Sequence, residues 1–339
     1  MSEVITLGEC LIAFVAATPG PMAEATTFER FVAGAEANVA VGLARLGHQT
    51  RYVGRVGADG FGEAIRRRLR GEGVDTTSLT TDEAAPTGLM FRERRVLGPA
   101  QVLYVRRGSA GSRLTADDVD AATRARLFDG ARWLHLTGIT PALSASARAA
   151  VDRAADLARD GGVSISLDLN LRRRIWSDSE AAPVLRALAA RVDVVLGSPN
   201  ELAVVTGRSA DDDPVDLARA ALALGPTIST AVAKLGAEGA VAIDREAPDR
   251  PVARAAVPLP VVVDPVGAGD AFCAGFIAAR LEGGDLAAAL ETANACGAAA
   301  AAALGDQTGL PDRAELAAIL AAGAAGGSGR GAAAADTIR

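Results

Sequence analysis

The stretch DPVGAGDAFCAGF, Asp264 to Phe276, gathers two carboxylates and three glycines between the apolar run VPLPVVV and an apolar run of helical period. Read as a strand-to-helix junction, it places Gly267-Ala268-Gly269 at the N-terminus of the helix DAFCAGFIAARLEGG. Unpaired backbone N–H groups and the positive end of the helix dipole favour an anion there. The glycines let the backbone curl close to phosphate oxygens. Asp270 has two readings. An aspartate in a first helical turn is ordinarily a cap. Beside an anion site, however, a carboxylate is electrostatically wasteful unless it accepts a proton from an attacking hydroxyl. Asp264, at the end of the preceding strand, either bonds the turn or acts near cations and phosphates.

Two commoner phosphate loops are excluded. Lys234 is the only lysine in the chain and follows Ala233, so there is no Gly-Lys-Ser/Thr. After Gly267 and Gly269, the third glycine position of a dinucleotide fingerprint holds Phe272. The early VGADGFGE has clustered glycines at the wrong spacing and reads as a tight turn.

The elements that must hold this stretch follow from pattern. The 339 residues suffice for one large α/β domain or two ordinary ones. Short β-like runs (VITLG, TRYVGRVG, VSISLDLN, VDVVLGS, ISTAVAKLG) alternate with amphipathic stretches (ANVAVGLARLG, SARAAVDRAADLARDGG, DPVDLARAALALG). Apolar strands separated by helices predict a mostly parallel sheet covered on both faces. Two segments, about 10–33 and 87–108, break the rhythm with extended runs and no long helix. GLMFRERRVLGPAQVLYVRR reads as a hairpin around Leu97-Gly98-Pro99. Together they predict a small β-sheet lid on a domain of residues 1–322, of use in phosphoryl transfer because it excludes water. Residues 323–339, Gly/Ala/Ser-rich without periodicity, are expected to be disordered.

A net charge of −6 and a pI near 5.2 argue against a nucleic-acid surface. No secretory signal or membrane span is expected: Glu9 interrupts the N-terminal apolar run, and Glu291 and Asn294 interrupt the Ala-rich one. Cys10, Cys273 and Cys296 form no CxxC, and His48 and His135 have no ligand neighbours. A reduced, cytoplasmic protein without a structural metal is expected.

DPVGAGDAF resembles the C-terminal signature of the PfkB/ribokinase family of sugar kinases. AGAEANVAVGLARLG, Ala33 to Gly47, resembles its N-terminal substrate signature, and VGRVGADGFG follows in the family's usual place. The likeness reaches to about Leu320. It implies a ribokinase-like three-layer α/β/α fold, with ATP and Mg²⁺ as cofactors. Asp270 would be the general base, the amides of Gly267, Ala268 and Gly269 the anion hole, and Gly34 and Asn38 would meet sugar hydroxyls. Where the family has Asn-x-x-Glu this chain has Ser198-Pro-Asn-Glu201, which implies that Glu201 serves Mg²⁺ through water. Asn170, Ser198, Lys234, Gly236, Gly239 and Asn294 fall on the nucleotide side.

A finer resemblance is to the 2-keto-3-deoxygluconate kinase branch, carried by GECLIAF, YVRRGSAGS, HLTGITPALS and SLDLNLRRRIW. It implies substrate contacts from Tyr104, Arg106, Arg172 and Asp306. A sugar carboxylate suits arginine, whose planar fork pairs bidentately. Met90 stands where the branch can have tyrosine. The expected reaction is ATP-dependent phosphorylation of the 6-hydroxyl of that sugar acid. The alternatives are 5-keto-2-deoxygluconate, fructose or a related hexose as acceptor, or a binding protein without catalysis. Lids of this kind often pair across a dimer, so a homo-oligomer is expected, with a sugar acid and ATP as its only other partners.

Overall fold

The computed structural model describes residues 2–95, 98 and 100–327. Its strands are β1 (Val4–Leu7), β2 (Leu11–Ala16), β3 (Phe28–Ala33), β4 (Thr50–Gly57), β5 (Leu79–Asp82), β6 (Leu89–Arg92) and β7 (Val102–Val105). They continue with β8 (Trp133–Thr137), β9 (Ser164–Asp168), β10 (Val194–Gly197), β11 (Thr230–Lys234), β12 (Ala240–Asp244) and β13 (Val252–Arg254). The helices begin with α1 (Ala35–Arg45), α2 (Gly60–Gly71), α3 (Ala116–Arg124), α4 (Thr140–Leu143), α5 (Ala145–Asp160) and α6 (Asp178–Ala189). The remainder are α7 (Pro199–Thr206), α8 (Pro214–Leu222), α9 (Ala268–Leu281), α10 (Leu286–Ala301) and α11 (Arg313–Gly327).

Nine strands form one sheet in the order β13-β12-β11-β10-β9-β8-β1-β4-β5. From β11 to β5 every pairing is parallel; β12 and β13 run antiparallel at one edge. The alternation of side chains along a strand divides the core. On β10, Val195 packs with α5, α6 and α8 on one face, whereas Val194 and Leu196 pack with α1, α9 and α10 on the other. Both faces are thus covered, giving the three layers predicted from the apolar runs.

A separate four-stranded sheet, β3-β2-β6-β7, arises from chain leaving the carboxyl ends of β1 and β5. It is formed by the two irregular segments. Leu97 and Pro99 of the expected turn lie outside the described residues. One face carries Leu11, Met90, Arg92 and Tyr104; the other carries Ile12, Phe14 and Phe91, with Phe14 packed against Phe61 of α2.

The apolar run before the glycine loop is not a strand, contrary to expectation. Pro258 and Pro260 lack the N–H groups a ladder needs, and Val261, Val262 and Val263 stand exposed. Asp264 therefore does not end a strand; its amide donates to the Ala301 carbonyl of α10. At the C-terminus α11 carries helix past residue 322 to Gly327, and 328–339 lie outside the described residues.

Candidate active site

In parallel α/β sheets ligands collect at the carboxyl ends of the strands. Here those ends supply Glu9 after β1, Asp168 and Asn170 at and after β9, Ser198 after β10, and Lys234 closing β11. The small sheet roofs them with Met90, Tyr104 and Arg106. Between floor and roof is a cavity of about 560 Å³, of a size that takes a small molecule. A second of about 550 Å³ lies beside it, walled by Gly239, Ala256, Leu259, Phe272 and Asn294. Lys234, Gly236, Pro265 and Gly269 line both, so the two hollows meet at the glycine loop. Gly34, Asn38, Asn170, Arg172, Glu201, Gly267, Asp270 and Asp306 line the first; Ala268 lines the second.

The loop enters α9 as its sequence suggested. Gly267 is the N-cap, in the left-handed region at φ 85°. A Cβ there would stand 2.7 Å from the Asp306 carbonyl oxygen, so glycine is needed twice over. The Ala268 N–H reaches back to the Pro265 carbonyl at 3.3 Å, a bond it must leave to meet a phosphate.

Asp270 does not cap. It sits in the first turn of α9, buried, and its carboxylate oxygens accept from Asn38 Nδ2 at 2.8 Å and Asn170 Nδ2 at 3.2 Å. The approach of Asn38 is set by helix packing. One turn further along both helices, Gly42 of α1 faces Ala274 of α9, where a Cβ on Gly42 would come within 2.8 Å of the Ala274 methyl. Small residues at that crossing bring the two backbones together and so bring amide to carboxylate. Burial pushes the Asp270 carboxyl up from its ordinary range, only partly offset by the Asn38 hydrogen bond.

Asn170 bridges two acids, since its Nδ2 also lies 3.2 Å from Asp168. Its φ of 39° is left-handed, which asparagine tolerates better than most residues. Asp168 in turn holds Lys234 Nζ at 2.7 Å. Burial works against the lysine's charge, but the Asp168 carboxylate more than offsets it, so Lys234 stays protonated at the junction of the cavities. Gln307 Nε2 donates to Asn38 Oδ1 at 3.2 Å, which fixes the Asn38 amide with its N–H₂ towards Asp270. Neither Asp168 nor Gln307 was marked by sequence, because nothing near them in the chain announces a partner so far away.

The arginines differ in availability. Arg106 gives Nε and Nη2 to the buried Glu9, which also accepts from Ser109 Oγ, and its guanidinium lies 5.3 Å from the Tyr104 ring centre. Only its Nη1 edge is left for a ligand. Arg172 makes no ion pair among the described residues. Asn294 Nδ2 is spent on the carbonyls of Arg254 and Ala255, so it shapes the second cavity's wall.

Glu201 is equally occupied. Its carboxylate accepts from the Leu171 N–H, the Ser198 N–H and the Ser198 hydroxyl. Among the described residues no group of three or more His, Cys, Asp or Glu side chains is arranged to hold a metal. The donor set fits a cation that keeps its water shell, with Glu201 behind the water, and does not fit direct ligation. His135 is packing: burial holds it neutral, at about 4, with Nδ1 on Ser166 Oγ.

Asp306 carries a stability cost that can be measured. Burial raises its carboxyl to about 6, and its Oδ1 has no partner. An unfolded aspartate titrates near 3.9, so the folded chain binds the proton more tightly and loses stability as pH rises from about 4 through 6. Asp306→Asn is expected to raise stability at pH 8 by about 2–3 kcal/mol, with the gain vanishing towards pH 4. Urea midpoints at the two pH values check this; equal gains at both would refute it.

The comparisons agree with the geometry. The pfkB family carbohydrate kinase model matches residues 1–313. The chain is 38% identical over 327 residues to the 2-dehydro-3-deoxygluconokinase of Thermoproteus tenax, covering 95% of each. It is 35% identical over 335 residues to that of Bacillus subtilis strain 168, covering 94% of this chain and 96% of the relative. Among solved structures, a putative ribokinase II from E. coli in complex with ATP and Mg²⁺ superposes with a TM-score of 0.85 at 26% identity, over 95% of this chain and all of that one. The chain belongs to the pfkB family of carbohydrate kinases. It is a phosphotransferase with the ribokinase-like fold.

Proposed function

We propose that the chain transfers the γ-phosphoryl group of ATP to the 6-hydroxyl of 2-keto-3-deoxygluconate, with Asp270 as general base. The observation that carries this reading is one buried carboxylate, raised in pKa, lining the roofed cavity one residue past Gly269, where the two substrate-sized cavities meet at a glycine-capped helix N-terminus. The sugar acid occupies the roofed cavity against Gly34, Asn38, Tyr104, Arg106, Arg172 and Asp306. The nucleotide lies along Gly236, Gly239 and Asn294, with its phosphates reaching Lys234, Asn170 and Ser198. Asp270 takes the hydroxyl proton as that oxygen's electron pair forms the new bond to phosphorus. The bond from phosphorus to the bridging oxygen breaks, and ADP leaves with that electron pair. The N–H groups of Gly267, Ala268 and Gly269 stabilise charge on the transferred group, and the rest is alignment. Glu201 would hold Mg²⁺ through water, and the ion would supply neutralisation of phosphate charge.

Arg172, unpaired, is the cation best placed to receive the carboxylate, with the Nη1 edge of Arg106 assisting. The small sheet acts as a lid on residues 1–322. Its edge strand β7 exposes Leu103 and Val105, and a second lid covering them would make the protein a homo-oligomer. No helix among the described residues is long and apolar enough to cross a membrane. Three buried, unpaired cysteines accord with a cytoplasmic setting. Met90 in the roof favours, as the second reading, a neutral hexose or 5-keto-2-deoxygluconate. An ADP-release assay across acid and neutral sugars decides: turnover should be confined to the 3-deoxy sugar acid at low KM. Turnover of neutral sugars alone would overturn the acceptor.

A further inference from the structure

One buried contact joins parts of the chain that the reaction scheme treats separately. Arg92, at the end of lid strand β6, gives Nη1 and Nη2 to the two oxygens of Asp264 at 2.5 Å each. Both side chains are buried, at 7% and 4% exposure. Asp264 opens the loop that becomes the anion hole, and its carboxylate is fully used. Oδ1 also accepts from the Val266 N–H at 3.2 Å, one residue before Gly267, and Oδ2 from the Gly305 N–H at 3.1 Å, one residue before Asp306.

The same junction is closed sterically. Gly305, at φ 92°, lies so close to the Phe31 ring of lid strand β3 that a side chain there would collide with it. Gly267 in turn packs against the Asp306 backbone, where a Cβ would stand 2.7 Å from its carbonyl oxygen. Lid, substrate-side turn and anion-hole loop therefore meet at a single carboxylate, and a guanidinium from the lid neutralises it. Without that cation, Asp264 would be a buried negative charge beside the place where phosphate must sit, and its two backbone bonds would have to hold the loop alone.

We infer that Arg92 is a positioning residue: by gripping Asp264 it ties the seating of the lid over the sugar to the shape of the anion hole. The inference rests on the kinase reading for its kinetic consequence, but not for the link itself. A fork with two parallel bonds fixes orientation as well as distance, which a point charge does not. The lid strand cannot shift without moving Val266 and Gly305, and the anion hole cannot open without releasing the lid.

The test is a double-mutant cycle on the full chain with Arg92→Met, Asp264→Asn and the double variant. Steady-state kinetics are combined with calorimetric titration of ATP and of ADP. Arg92→Met, a lid change, should weaken ATP binding by about tenfold and lower kcat by about thirtyfold, with ADP binding changed about threefold or less. The double variant should be no worse than the worse single. Effects that multiply in the double overturn the link. So does an Arg92→Met enzyme altered only in sugar KM. If Arg92→Met does not fold, Arg92→Lys takes its place in the cycle, since it keeps the charge and loses the fork. Wild-type kcat and ATP affinity in that variant overturn the proposal as well. Should the wild type phosphorylate no sugar, the reading of the reaction falls while the ATP titrations still decide the link.

Discussion

Asp270→Asn is expected to lower kcat by about a thousandfold or more, within the range a positioned general base contributes, while ATP affinity stays within a few-fold. The substitution keeps the size of the side chain and one oxygen for Asn38 or Asn170 to donate to, so the helix junction should persist. What disappears is the ability to take a proton. The carboxyl's pKa gives the matching test in the wild type. Burial raises it, and a base works only when deprotonated, so the acid limb of kcat/KM should lie above the ordinary carboxylate range. Asn38→Leu would remove a hydrogen bond that favours the charged form, and the limb should move further up. Coupled ADP release across pH reads both effects. An Asp270→Asn enzyme within tenfold of wild type would remove the carboxylate from the chemistry altogether.

The parts of this site that were readable in the sequence are those in which local pattern and long-range role coincide. Gly267-Ala268-Gly269 announces a turn into a helix whether or not phosphate binds, and Asn38 lies in a helix whose apolar period is plain. The parallel centre of the sheet was readable because its strands are apolar on both faces, and parallel sheets require that. The short, more polar edge strands β5 (LTTD) and β13 (VAR) were not. VPLPVVV misled because its valines suit a strand, while its two prolines remove the donors that a strand needs. Side-chain partnerships were hidden for a different reason. Arg92 and Asp264 are 172 residues apart, and Gln307 reaches Asn38 across 269. Nothing local distinguishes Arg92 from the solvated arginines around it. Arg106 was readable as a pocket arginine, yet its pairing to Glu9 was not, and that pairing decides how much of its fork a sugar acid can use.

Gly267→Ala tests the other half of the chemistry. Placing an L-residue at φ 85° costs about 1–2 kcal/mol, and the new methyl would also press on backbone, 2.7 Å from the Asp306 oxygen and 3.1 Å from its Cα. Backbone cannot swing away as a side-chain tip does, so the loop must shift. A misplacement of about 1 Å in groups that stabilise a transition state costs roughly a hundredfold in rate. The expected result is a kcat lower by about that factor, with a raised sugar KM because Asp306 moves too. Gly269→Ala is the matched comparison. Gly269 lies within α9 without a left-handed φ, and its added methyl would meet only Lys234 Nζ, at 3.6 Å. That variant should keep its melting temperature and lose about tenfold or less. If instead Gly269→Ala proved the more damaging, the phosphate would be held by the helix's own first turn. The left-handed cap at Gly267 would then be a feature of folding alone.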